Sequence, residues 1–275
     1  MKVLMINGSP RANGNTSIAL NEMKTVFEKE GVDAEIVQVG SEAVRGCIAC
    51  NRCAELGKCV FDDVVNKLAV KLSEADGLVV ASPVYYASAN ATLIAVLDRL
   101  FYSTSFDKTM KVGASVVCAR RGGCSATFDE LNKYFTISNM PIASSQYWNS
   151  IHGRGPGEAV GDAEGLQTMR VLARNMTFLM KSIELGKEKY GLPVKEEVVR
   201  THFKESASQC HHSCNNTEHG TNDSILMSGR TTYHFLEMLS SRKTCPEETI
   251  YQLGTLDEHA SAEDLLNIEI GRAHV

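Results

Sequence analysis

Several common signatures are missing from this chain of 275 residues. No apolar run reaches the roughly 18 residues that span a bilayer, so no membrane partner is expected. No block of Lys or Arg occurs and the formal net charge is −5, which removes electrostatic support for nucleic-acid binding. The opening M-K-V-L-M-I-N is too short for a signal-peptide core and reads as a first strand. With no export signal, the nine cysteines do not describe a disulfide framework, and a reducing cytoplasm is the expected compartment. Also absent are the Gly-Lys-Ser/Thr ending of an ATP-binding loop and the G-x-G-x-x-G of a dinucleotide fold.

What is present is a different polar loop. Asn7–Ser17 reads N-G-S-P-R-A-N-G-N-T-S, directly after the apolar Met1–Ile6. A helical pattern follows at once, with Ile18, Leu20, Met23, Val26 and Phe27 apolar. A strand, a polar loop and a helix start together form an anion site, because free N–H groups and the helix dipole point out of the helix end. Ser9, Asn13, Asn15, Thr16 and Ser17 add side-chain donors and Arg11 adds a charge. Crowded hydroxyls suit a terminal monophosphate. The plain alternative is a solvated turn with a helix cap at Asn15 or Thr16.

Strand and helix patterns alternate to about residue 190. Strands are expected at residues 34–39, 77–81, 111–119 and 141–147, besides the first. Helices are expected at 64–72 and 91–102, from 128, and over 164–185 with Gly186 as the cap. Five strands with interposed helices predict an α/β fold, a doubly wound parallel sheet covered on both faces. Ligands on such sheets bind beyond the carboxyl ends of the strands, where loops 7–17, 82–90 and 119–125 would meet. In Pro83–Ser88, Pro83 stiffens the turn leaving the strand. Backbone groups of Val84, Tyr85, Tyr86, Ala87 and Ser88 are then available to a planar heterocycle. Arg120, Arg121, Gly122 and Gly123 combine charge with close backbone approach; two solvated arginines at a strand exit are the alternative.

A second feature is Arg45–Asp63, where Cys47, Cys50, Cys53 and Cys59 are spaced C-x2-C-x2-C-x5-C. Three thiols at two-residue gaps wrap one point, and Gly57 permits the turn that returns Cys59. This is the form of a [4Fe–4S] ligand loop. Metal-free redox or packing thiols and structural zinc remain open as alternatives. Cys118 reads as a buried strand residue.

Over residues 1–203 these motifs resemble the NADPH-dependent FMN reductase family of flavodoxin-like proteins. The resemblance rests on G-S-P-R-A-N-G-N-T-S, on S-P-V-Y-Y-A-S with L-D-R at 97–99, and on A-R-R-G-G. It continues in S-Q-Y-W-N at 145–149 and R-N-M at 174–176. The cysteine loop resembles that of iron–sulfur flavoproteins. The resemblance implies that Ser9, Arg11, Asn15, Thr16 and Ser17 hold the FMN phosphate. Pro83–Ser88 would run beside the isoalloxazine ring, Arg120–Gly123 would close its other edge, and Trp148 and His152 would lie near the mouth. It also implies no obligatory side-chain acid or base, since the flavin carries the chemistry. An oxidoreductase passing electrons from NAD(P)H through FMN to a flavin, quinone or similar small acceptor is expected, as a homo-oligomer. The alternative is an iron–sulfur flavoprotein relaying single electrons between protein partners.

Residues 204–275 are expected to be a poorly structured extension. Thr201–Ser228 has no apolar period, and its C-H-H-S-C group lacks a second ligand pair for zinc. The last six residues, I-G-R-A-H-V, match an in-frame translation of a common sequencing adapter. The tail therefore carries no weight in the functional reading.

Overall fold

The computed structural model describes residues 1–199. The expectations for the C-H-H-S-C group and the extension lie outside the described residues.

The chain begins with β1 (Lys2–Asn7), α1 (Asn15–Lys29) and β2 (Asp33–Gln38). The cysteine segment contributes only a short α2 (Cys53–Leu56). Then come α3 (Val64–Glu74), β3 (Gly77–Tyr85), a two-residue β4 (Ser88–Ala89) and α4 (Ala91–Ser103). Next are β5 (Val112–Ala119), α5 (Cys124–Ile137), β6 (Ser150–His152) and the long α6 (Ala163–Tyr190). The main sheet has the order β2-β1-β3-β5-β6, and all its pairings are parallel. β4 folds back antiparallel on β3 alone.

Alternation along each strand divides the core. Val3, Met5, Val79, Ala81, Ala114 and Val116 meet α1 and α6 on one face. Leu4, Ile6, Leu78 and Val80 meet α3, α4 and α5 on the other. Both faces are covered, so the central strands are near-continuous apolar runs, whereas the edge strand β2 carries the exposed Asp33 and Glu35. The order reverses between β1 and β3, and the loops after β1, β3 and β5 share the carboxyl edge at that reversal.

Three boundaries differ from the sequence reading. β3 runs through Pro83 to Tyr85 instead of ending near Ser82. The Ala81 carbonyl accepts from Gly8 N on the β1 side (2.8 Å). Pro83, two residues on, points to that same side after β1 has ended, so its missing N–H breaks no ladder bond. The fifth strand is not continuous over 141–147: Ile142 makes one bridge to Gly113, and β6 then pairs Ser150–His152 with Val117–Ala119. The intervening residues loop out because the Ser145 hydroxyl bonds the Tyr147 carbonyl (2.6 Å) and Asn149 Oδ1 (2.8 Å), competing with the ladder. Finally, α6 passes through Gly186 to Tyr190, and the cap is Gly191 at φ 75°. Positive φ combined with ψ 173° is open almost exclusively to glycine, and Gly191 ends the helix there.

Candidate functional site

At the carboxyl end of β1 the backbone enters the polar loop under tight control. Asn7 is 1% exposed; its amide donates to Ser17 Oγ (3.0 Å) and its Oδ1 accepts from Ser9 N (3.0 Å). Ser9 Oγ accepts from Arg11 N (3.2 Å), and Gln38 donates to the Ser9 carbonyl. No side chain caps α1: the residue before the helix is Gly14, in extended conformation. The helix therefore starts at Asn15 without the capping bond from Asn15 or Thr16 that a plain solvated turn would make. Its first N–H groups lie where the dipole favours an anion.

The structure sorts the loop's donors. Ser17 Oγ is committed to Asn7 and to the Ala12 carbonyl. Asn15 donates to the Gly155 carbonyl (2.9 Å) and accepts from Ala159 N (3.1 Å). Thr16 is buried, and its hydroxyl faces the Cys118 thiol. Burial pushes that thiol up to about 12, so it stays protonated. Arg11 and Asn13 are exposed. The donors left for an anion are thus backbone N–H groups, the Ser9 hydroxyl, whose oxygen accepts from Arg11 N while its O–H is uncommitted among the described residues, and the exposed side chains of Arg11 and Asn13. A cavity of about 550 Å³ borders this loop at Ala12 and Ser17 but opens along α1 and β2, away from the other loops.

The second loop is a tight hairpin. Val84 pairs with Ala89 and Tyr85 with Ser88. In this register Tyr86 and Ala87 form the tip. Both tip residues are left-handed, at φ 52° and 59°, where glycine is usual. Glu130 fixes the returning strand, accepting from Ser88 Oγ (2.9 Å) and Ala89 N (2.8 Å). Tyr86 is fully exposed and Tyr85 nearly half exposed. The third loop packs onto this hairpin at Gly123, which has φ 90°. A Cβ there would stand 2.9 Å from Ala87 Cα and 2.9 Å from Val84 Cγ1. Arg120 and Arg121 are exposed beside it.

His152 ends β6 at the same edge of the sheet. Its Nε2 is 3.9 Å from Cys124 Sγ, and its Nδ1 is 3.5 Å from the Asp162 carboxylate. The same carboxylate accepts from His152 N (2.7 Å) and caps α6 through Gly165 N (2.9 Å). Burial raises the Cys124 thiol above its ordinary range. Trp148 packs against Tyr147 at 5.1 Å, at the entry of β6 and not at its carboxyl end. Sequence reasoning missed Cys124 and Asp162, whose chain positions carry no motif.

The four clustered cysteines line one cavity, with Ile48, Phe61, Arg99 and Ser103 among its other walls. The cavity measures about 20 Å³, room for one water, so a polynuclear cluster would require the exposed part of the loop to move outward. Among the described residues no three Cys, His, Asp or Glu side chains form a closed metal-ligand group. The residues nevertheless fit a thiolate-bound group. Ala49 and Asn51 are left-handed between the cysteines and curl the chain around the cavity. Ala49 N points at Cys47 Sγ (3.4 Å). Arg99 is 1% exposed and donates Nε–H to Cys59 Sγ (3.2 Å). The Ser103 hydroxyl is buried with no hydrogen-bond partner among the described residues. Asn66 holds the Cys59 backbone from both sides, accepting from its N (3.0 Å) and donating to its carbonyl (3.1 Å).

Residues 1–154 match the model of the family described as NADPH-dependent FMN reductase. The chain belongs to that family. Family membership makes it an oxidoreductase with the FMN-binding fold described above. Among its relatives is an iron-sulfur flavoprotein of Methanocaldococcus jannaschii, 33% identical over 192 residues, covering 67% of this chain and 100% of that protein. An iron-sulfur flavoprotein of Methanosarcina thermophila is 30% identical, covering 69% of this chain and 100% of its own length. Two solved structures share the fold. RosB with a bound riboflavin-phosphate intermediate has a TM-score of 0.55 at 17% identity, over 83% of this chain and 93% of that one. FerB, an NAD(P)H:acceptor flavoenzyme of Paracoccus denitrificans, has a TM-score of 0.51 at 12% identity, over 66% of this chain and 97% of that one. Among the described residues no helix is long and apolar enough to cross a membrane.

Proposed function

We propose that this member of the FMN reductase family takes reducing equivalents from NAD(P)H and delivers them through FMN to a small acceptor such as a flavin or quinone. The observation that carries this reading is the uncapped start of α1 at the strand-order reversal, facing the hairpin and the Gly123 loop. FMN, when bound, would supply the chemistry that accepts hydride and releases electrons. The protein's part is placement. Backbone N–H groups of the α1 start and the Arg11 guanidinium hold the phosphate. The hairpin tip at Tyr86 and Ala87, supported by Gly123, would help hold the flavin ring. Arg120 and Arg121 offer charge to the donor's phosphates. His152, oriented through Nδ1 by Asp162, presents Nε2 to Cys124 at the same edge of the sheet. This unit is assigned to residues 1–203, as a homo-oligomer in a reducing cytoplasm.

A second reading is favoured by the convergence of Cys47, Cys50, Cys53 and Cys59 on one cavity. In it these residues hold a [4Fe–4S] cluster, and the protein relays single electrons to a protein partner. The names of the methanogen relatives support it.

The test is one anaerobic preparation. Its absorption spectrum reads flavin, and iron and acid-labile sulfide assays read the cluster. Bleaching of the flavin by NADH or NADPH, with ping-pong turnover on a quinone, supports the first reading. Flavin that no nicotinamide reduces would overturn it. Protein without iron after anaerobic reconstitution would remove the second.

A further inference from the structure

The cysteine cavity is asymmetric. Cys47 and Cys50 sit on its exposed side, whereas Cys59 is partly buried against α3 and α4. The wall behind Cys59 is α4, and two of its residues one turn apart carry polar groups to the cavity: Arg99 and Ser103. Their spacing of four places them on one helix face. Neither is accounted for by the flavin site.

Arg99 is a buried cation with a fully assigned set of contacts. Its Nη1 donates to Asp63 Oδ2 (2.6 Å) and its Nη2 to Asp63 Oδ1 (3.0 Å). Nη1 also reaches the Arg45 carbonyl (3.2 Å), and its guanidinium stacks 5.0 Å over the Phe61 ring. Asp63 is itself fixed, because its carboxylate accepts from Val65 N (3.0 Å) at the start of α3. The two terminal nitrogens are thereby spent on a carboxylate, and the Nε–H alone is turned to sulfur at 3.2 Å. The ion pair is neutral overall, but its positive end faces Cys59. Ser103 adds an O–H that has no acceptor among the described residues. A buried hydroxyl without a partner is costly, and a thiolate or sulfide in the cavity would supply the acceptor.

We infer that Arg99 and Ser103 are positioning residues that set the reduction potential of a cluster held by the four cysteines. This rests on the second reading above. Donors aimed at ligand sulfur favour the more negative, reduced state and so raise the potential. Asp63 works against Arg99 by neutralising its charge.

The experiment compares full-length wild type with Arg99→Gln, Ser103→Ala and Asp63→Asn. Each is purified anaerobically, assayed for FMN, iron and sulfide, and titrated by redox potentiometry with a cluster-specific spectroscopic readout. Arg99→Gln should lower the reduced-to-oxidised ratio at fixed potential roughly tenfold, about 59 mV for a one-electron couple. Ser103→Ala should shift it in the same direction by less. Asp63→Asn keeps an amide oxygen able to cap α3 and should shift it the opposite way. Shifts of these opposed signs, with FMN content unchanged, support the inference. If Arg99→Gln loses its iron, the other two variants decide. Wild-type protein that holds the cluster, with potentials unchanged in Ser103→Ala and Asp63→Asn, overturns the inference and leaves the cluster reading standing. Wild-type protein without iron after reconstitution ends both.

Discussion

Asn15 Oδ1 accepts from Ala159 N at 3.1 Å, joining the first turn of α1 to a turn 144 residues further along the chain. The same side chain donates to the Gly155 carbonyl. One amide thus ties the start of α1 to the segment between β6 and α6. Asn15→Ala should leave the buried Ala159 N–H without a partner and lower stability by about 1–3 kcal/mol. A fall in the urea midpoint at constant slope would show it. Asn15→Asp keeps the bond to Ala159, gives up the donor to the Gly155 carbonyl, and adds a carboxylate at the start of α1. It should lose FMN affinity out of proportion to stability; equal losses in the two variants would refute the division of roles.

Arg11 is exposed on the loop, with its backbone N–H on Ser9 Oγ. Arg11→Ala should weaken FMN binding by roughly tenfold to a hundredfold, the worth of a contact to a charged group. Melting temperature of the apoprotein should not change. Riboflavin, which lacks the phosphate, should bind wild type and variant alike. An equal loss for riboflavin would move Arg11 away from the phosphate.

Ala87 holds φ 59° at the hairpin tip. Ala87→Gly should relieve that strain and stabilise the apoprotein by about 1 kcal/mol, read as a rise in melting temperature. A drop would mean that the contact of the Ala87 side chain with the Gly123 loop outweighs the backbone strain.

Burial raises the Cys118 thiol from 9.0 to about 12. Below pH 9.0 the thiol is protonated in both states and contributes no pH dependence. Above it the unfolded chain releases the proton first, so the fold loses stability between pH 9.0 and about 12. Cys118→Ser, which has no group titrating there, should flatten this alkaline loss. Parallel denaturation curves for both proteins across that window would contradict the assignment.

Local pattern was enough to read the central strands and to mark the polar loop after β1. A parallel strand buried on both faces reads as a near-continuous apolar run, and Val3–Ile6, Gly77–Ala81 and Val112–Ala119, broken only at Ser115, are such runs. The loop at Asn7–Ser17 is equally local, since its chemistry follows from a strand end, glycines and a helix start in immediate succession. The cysteine spacing marked four thiols as a group for the same reason.

Tertiary packing decided which of those groups remain available. Asn15 and Ser17 look like phosphate donors in sequence, yet distant or internal partners already occupy their side chains. The fifth strand broke because the Ser145 hydroxyl competes for backbone bonds, a choice that alternating hydrophobicity does not register. Arg99 and Ser103 belong to α4, 40 or more residues beyond Cys59, and reach the cysteine cavity only because α4 packs beside α3 over the sheet. Helix and strand types follow from neighbours along the chain; the partner of a buried charge follows from neighbours in space, which the chain order does not encode.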